Sequence, residues 1–148
     1  MKRSTGRSDE GADGDFQGYE IIVVGTSWGG LAAVRCILDA VPPDFVIPVV
    51  VVQHRHRDSE SLLGRYLAGH THLQVCDIED KTSVEPGRLY VAPPDYHTLV
   101  EHGYLSLSTE APVRYSRPSI DVMLASPASS YGHRTVGVIL TGANADGA

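Results

Sequence analysis

The run Ile21-Ile22-Val23-Val24, followed by Gly25-Thr26-Ser27-Trp28-Gly29-Gly30-Leu31, constrains this chain more than any other stretch. Four consecutive Ile and Val residues without alternation describe a strand covered on both faces, as in a parallel sheet flanked by helices. Beyond the glycine-rich turn, Leu31, Val34, Leu38 and Val41 are spaced to lay one apolar helical stripe against that sheet. Strand, turn and helix put Ser27 at the carboxyl end of a central strand, the edge where open α/β sheets do their chemistry.

Three roles suit Ser27 there. A dinucleotide fingerprint G-x-G-x-x-G wants glycine where Ser27 stands and an acidic residue closing the next strand, which instead reads Val51-Val52-Gln53-His54. The pattern G-x-S-x-G-G suits a nucleophile elbow, whose small neighbours let a serine hydroxyl project from a bend. A serine here can equally cap the helix. The turn alone does not separate nucleophile, cap and phosphate loop, so the rest of the chain must.

At 148 residues the chain fits one domain whose core needs no staples. Cys36 and Cys76 lack C-x-x-C spacing and lie in apolar segments, so both are read as buried, reduced thiols. Residues 1–18, rich in Gly, Ser, Asp and Arg, have no apolar segment of the kind a secretion signal carries. They read as a disordered tail, leaving 19–148 as the folded domain. No apolar run approaches the ~20 residues of a membrane span, so a soluble, cytoplasmic protein without membrane insertion is expected. A net charge of −6 with no basic block argues against a nucleic-acid surface. The local exception is His54-Arg55-His56-Arg57, where Arg55 and Arg57 would offer a positive mouth to an acidic partner.

Taken in order, Val41-Pro42-Pro43-Asp44 ends the first helix, and residues 45–52 form a second strand with Pro48 near its start. Strand, helix and strand predict a right-handed crossover and a parallel pair. Asp58-Ser59-Glu60 opens a helix to about Ala68, with Leu62, Leu63, Tyr66 and Leu67 as its apolar side. His70 and His72 have no third ligand at useful spacing, so neither metal nor cofactor is expected. Short strands follow at 73–78 and 87–92, separated by polar residues 79–86. Residues 98–101 and 104–107 flank His102-Gly103 as an antiparallel hairpin. Arg117-Pro118-Ser119 begins another helix, with Ile120, Met123 and Leu124 inward, which Pro127 should end or kink. A last buried strand at 136–140 runs into Thr141-Gly142-Ala143-Asn144-Ala145-Asp146-Gly147-Ala148. The expected fold is a doubly wound, mostly parallel α/β sheet with helices on both faces and a small antiparallel hairpin insertion.

Ser27, His54 and Asp146 each follow an apolar strand, so a parallel sheet would bring them to one edge. A serine hydroxyl is a weak nucleophile until a base takes its proton, and the imidazole needs a carboxylate to fix its tautomer. The order Ser, His, Asp is no obstacle, because triads are defined by geometry. His97, beside Asp95, is the rival base; His54 is preferred because it directly ends the strand next to the elbow strand. Asp146 could instead be a turn aspartate before Gly147. Its loop, with Gly142, Ala143 and Asn144, offers backbone N–H groups that could join the N–H of Trp28 in an oxyanion hole.

Five motifs now stand in one order: Gly25-Thr26-Ser27-Trp28-Gly29-Gly30, Val51-Val52-Gln53-His54, Pro86-Gly87 with Ala92-Pro93-Pro94-Asp95-Tyr96-His97, Arg117-Pro118-Ser119-Ile120-Asp121-Val122, and residues 138–148. Together they resemble the catalytic domain of the CheB chemotaxis methylesterases over residues 19–148. The resemblance implies a Ser27, His54, Asp146 triad hydrolysing γ-glutamyl methyl esters on the acidic cytoplasmic helices of methyl-accepting chemoreceptors, with receptor glutamine deamidation in many members. Trp28 replaces a small residue usual in the family, and Ala143 a common methionine. Family members typically carry a receiver domain and continue past Asp-Gly-Ala, so this chain reads as a fragment or truncated product without that domain. Any control would then come from a separate regulatory protein or from receptor proximity. The competing readings are a non-catalytic binding module or inactive fragment of the same fold, and a nucleotide-binding domain.

Overall fold

Both β-branched runs are strands of one sheet: β1 (Ile21–Thr26) and β2 (Val49–Gln53) pair in parallel. The computed structural model describes residues 18–54, 62–113 and 116–140, so the expected tail lies, but for Gly18, outside the described residues. With β3 (Gln74–Asp77), β5 (Arg88–Val91) and β8 (Thr135–Leu140), these strands form a five-stranded sheet in the order β3-β5-β2-β1-β8, parallel throughout. The missing alternation has the predicted cause, because successive residues enter two different cores. Ile21, Val23, Val50 and Val52 join Tyr90 on one face, and Val24, Val49 and Val51 join Leu89 and Val91 on the other.

Helices cover both faces. α1 (Leu31–Ala40) and α2 (Leu63–Ala68) bring Val34, Leu38, Leu63 and Leu67 to the second core. α3 (Ile120–Ser130) brings Ile120 and Met123 to the first. The strand expected at 45–52 begins only at Val49, after Pro48, and the last strand, expected to be buried, has no buried residue, with Ile139 50% exposed. Two side-chain placements differ as well. α2 buries Leu63, Gly64 and Leu67, while Leu62 and Tyr66 are exposed, because the Cβ-less face of Gly64 sits against the Asp77 carboxylate and turns the helix that way. Cys36 is exposed rather than buried, since the stripe of α1 runs through Val34 and Leu38 and leaves Cys36 on the outer side; Cys76 is half-buried, and both thiols are free. The expected helix start at 58–60 lies outside the described residues.

The first core also receives an antiparallel sheet, β4-β7-β6, built from β4 (Thr82–Ser83), β6 (His97–Glu101) and β7 (Tyr104–Ser108). β6 and β7 are the expected hairpin, with Gly103 in the turn at φ +84°. β4 is too short and polar to be read from sequence. It is anchored beside Tyr90, whose buried hydroxyl donates to the Ser83 carbonyl (2.8 Å) and accepts from the Glu85 amide (2.7 Å). Desolvation raises the phenol pKa above its ordinary value.

Pro127 neither ends α3 nor removes its last turn, which runs on to Ser130. Proline has no N–H for the Met123 carbonyl, but the Ser126 hydroxyl donates to that oxygen at 2.8 Å. The same Ser126 Oγ accepts from the Val100 amide (2.8 Å), and Ser130 Oγ donates to the Val100 carbonyl (2.9 Å). The outer edge of β6 is thereby satisfied by the helix instead of being left open.

Candidate active site

The winding of the sheet reverses at β1. From β1 the chain passes through α1 to β2 on one side and later returns through α3 to β8 on the other, with the two helices on opposite faces. The connections diverge, and the crevice they leave lies outside the carboxyl end of β1. That is where Ser27 stands.

Thr26 and Gln53 are the last paired residues of β1 and β2, so Ser27 and His54 are the next pair, on strands about 4.8 Å apart. The ladder runs on past the strand ends, with the His54 amide donating to the Thr26 carbonyl at 2.9 Å. On the other side the Ser27 amide reaches the Leu140 carbonyl at 3.5 Å, so the end of β8 stands at the same edge. Ser27 is 3% exposed and His54 8%. Alternation along the strands carries both to the face that receives Val23 and Val52, the face of α3.

The turn bears on one of the three roles left open for Ser27, that of a cap. Its backbone is extended (φ −87°, ψ −179°), and the chain bends only afterwards, in the 3-10 turn Trp28–Gly30, where the Gly30 amide donates to the Ser27 carbonyl at 3.0 Å. The serine side chain makes no capping hydrogen bond to that turn, so capping is not its role. The bend also needs none of the strained left-handed geometry of an α/β-hydrolase elbow. Gly25 serves packing: a Cβ there would overlap the Ile120 Cγ2 methyl at the start of α3.

His97, the rival base, is committed elsewhere. It is 1% exposed, its Nδ1 accepts from the Ser119 amide (3.1 Å), and its Nε2 lies 3.0 Å from the Ala111 carbonyl. An amide can only donate and a carbonyl only accept, so the ring proton sits on Nε2 and both nitrogens are occupied. Asp95 does not orient this ring; it binds Arg117 Nε and Nη2 at 3.0 and 2.7 Å. Sequence reasoning placed these residues in motifs but missed their pairing. The only available signal was their shared position near the carboxyl edge.

Asp146, Gly142, Ala143 and Asn144 lie outside the described residues, as do Arg55 and Arg57, and of Trp28 the backbone alone is described. Among the described residues no group of three or more His, Cys, Asp or Glu side chains is arranged to hold a metal ion. No described helix is long and apolar enough to cross a membrane.

A doubly wound parallel sheet with serine and histidine side by side at the carboxyl ends of two interior strands is an α/β framework of the hydrolase type. Residues 22–148 match the CheB methylesterase family model, and the chain belongs to that family. It is 43% identical over 88% of its length to a Leptospira interrogans protein bearing the name protein-glutamate methylesterase/protein-glutamine glutaminase, of which it spans 68%. It is 37% identical to the protein-glutamate methylesterase FrzG of Myxococcus xanthus, covering 88% of this chain and 39% of that one. Its fold superposes on the crystal structure of the Thermotoga maritima CheB methylesterase catalytic domain with a TM-score of 0.80 at 34% identity, covering 87% of this chain and 70% of that one.

Proposed function

We propose that this protein hydrolyses γ-glutamyl methyl esters on the acidic cytoplasmic helices of chemoreceptors through Ser27, His54 and Asp146. The observation that carries the proposal is the in-register, buried placement of Ser27 beside His54 at the switch point of the sheet. Family membership supplies the reaction class.

In the first half-reaction Ser27 Oγ attacks the ester carbonyl while His54 takes the hydroxyl proton. The tetrahedral intermediate collapses, the C–O bond to methoxide breaks, and His54 returns the proton so that methanol leaves. Water then attacks the acyl-enzyme and gives its proton to His54, and Ser27 is regenerated as the glutamate carboxylate departs. Asp146 holds the imidazole in the tautomer that can accept at the serine. The Trp28 N–H, at the open start of the 3-10 turn, and N–H groups of 142–144 bind the oxyanion. The same steps on a glutamine amide release ammonia, in keeping with the double name of the Leptospira relative. Because the protein is itself acidic, Arg55 and Arg57 supply the local attraction for the receptor helix. The reaction belongs to the cytoplasm, where those helices are.

A serine-directed phosphonate should label Ser27, and Ser27→Ala should lose both labelling and methanol release from methylated receptor. Methanol release surviving in Ser27→Ala would overturn the mechanism, and absent labelling in the unchanged protein would favour a binding module.

A further inference from the structure

Three segments converge beside the carboxyl edge and are tied together twice. The outer tie is Arg117, which donates from Nε and Nη2 to Asp95 Oδ1 and from Nη1 to the carbonyls of Thr109 (3.1 Å) and Glu110 (3.2 Å). The inner tie is His97, which accepts from the Ser119 amide and donates to the Ala111 carbonyl. Both therefore cross-link the stretches 95–97, 109–111 and 117–119. Asp95 holds a left-handed backbone at φ +63° within this tie, a conformation aspartate tolerates better than most residues.

What the inner tie holds is the start of α3. Ser119 is its N-cap, with its side chain accepting from the Val122 amide at 3.3 Å, and the next residue, Ile120, sits against Gly25 with no room for a Cβ. Gly25 leads through Thr26 into Ser27. The imidazole is thus joined through Ser119, Ile120 and Gly25 to the strand that presents the serine. On its other side, the stretch 95–97 leaves β5, whose neighbour in the sheet is β2, the strand that ends at His54.

We infer that His97 is a positioning residue for the hydrolytic reaction. As the neutral Nε2–H tautomer it fixes the first turn of α3 against Gly25, and so sets the attack geometry of Ser27 without touching substrate. This inference rests on the hydrolytic reading of Ser27 and His54. A misplacement of about 1 Å at a reacting group costs on the order of 10²-fold in rate, so a small shift of this helix end has a measurable effect.

Two neutral replacements of similar size separate the ring's two bonds. Asn places its carbonyl oxygen near the position of Nδ1 and keeps an acceptor for the Ser119 amide. Gln places its amide near Nε2 and keeps the donor to Ala111 but loses that acceptor. We expect His97→Asn to retain phosphonate labelling of Ser27 and kcat within a few-fold, and His97→Gln to lower both by about tenfold to a hundredfold at unchanged KM. Amide exchange at Ser119 should stay protected in His97→Asn and accelerate in His97→Gln, a readout independent of turnover. Equal effects of both variants on labelling at matched thermal stability would overturn the inference, as would full activity of His97→Gln. A loss of about 10⁴ in both variants would make His97 the base and overturn it as well. If the unchanged protein releases no methanol while labelling and exchange still rank Asn above Gln, the esterase reading fails and the positioning role stands.

Discussion

The two faces of the parallel sheet are held by different kinds of force. Under α1 and α2 the buried core contacts are apolar, and the polar ones, Arg35 with Tyr66 and with Asp39 at 3.8 Å, lie at the exposed rim, a geometry that contributes little. Under α3 and the antiparallel sheet an apolar core of similar make-up is crossed by directional bonds: His97 to Ser119, Ser126 and Ser130 to Val100, and the Tyr131 hydroxyl to the Gly103 amide at 3.1 Å. Apolar burial is non-directional and tolerates sliding, whereas a hydrogen bond fixes where a backbone lies. Ser27 and His54 belong to the second face. Stability is shared by both faces, and accuracy is concentrated on one.

The largest effect should come from the site itself. His54→Gln is expected to lower turnover by about 10⁴ or more with little change in melting temperature, and His97→Gln to cost far less. The reverse ranking in kcat on methylated receptor would move the base to His97. Next comes the apolar face, where Leu67 is fully buried: Leu67→Ala should destabilise by about 2–5 kcal/mol in urea unfolding while kcat is retained. Loss of kcat in the folded variant would erase the distinction between the faces. On the directional face, Gly25→Ala should cost about 1–3 kcal/mol through overlap with Ile120 and should also slow labelling of Ser27. Adding Ile120→Ala should restore part of the labelling rate, a coupling that independent sites would not show. The smallest effect is expected from the two arginines that follow His54 in sequence: Arg55→Glu with Arg57→Glu should lower kcat/KM on receptor roughly tenfold at low salt and leave a small neutral ester unchanged. Equal losses on both substrates would place these arginines in shaping the site.

What could be read in advance follows the same division. Strands β1 and β2, helix α1 and the hairpin were legible because burial on two faces, helical spacing and a glycine turn leave marks within a few residues of sequence. That α3 does not end at Pro127 could not be read, because the hydroxyl that takes up the Met123 carbonyl sits on Ser126, and serine ahead of proline gives no sign of it. β4 was missed because its two polar residues are ordered by distant partners, Leu105 and Tyr104. His97 looked like a candidate base because nothing local to Asp95-Tyr96-His97 reveals that Arg117 and Ser119 occupy both side chains. The placement of Ser27 beside His54 was legible, since strand ends in a parallel sheet share an edge. That Ser27 does not cap its turn required the geometry.

The central position of β1 has a consequence for how the protein comes to be folded. Its partner β2 follows within one crossover, whereas its other partner, β8, is the last described strand. Closing so long a loop is entropically costly, and such distant pairings form slowly. During synthesis β1 emerges early and waits with one ladder edge open, a template for wrong pairing with other nascent chains. Among the described strands, the one that presents the serine is thus made first and completed last, when β8 arrives.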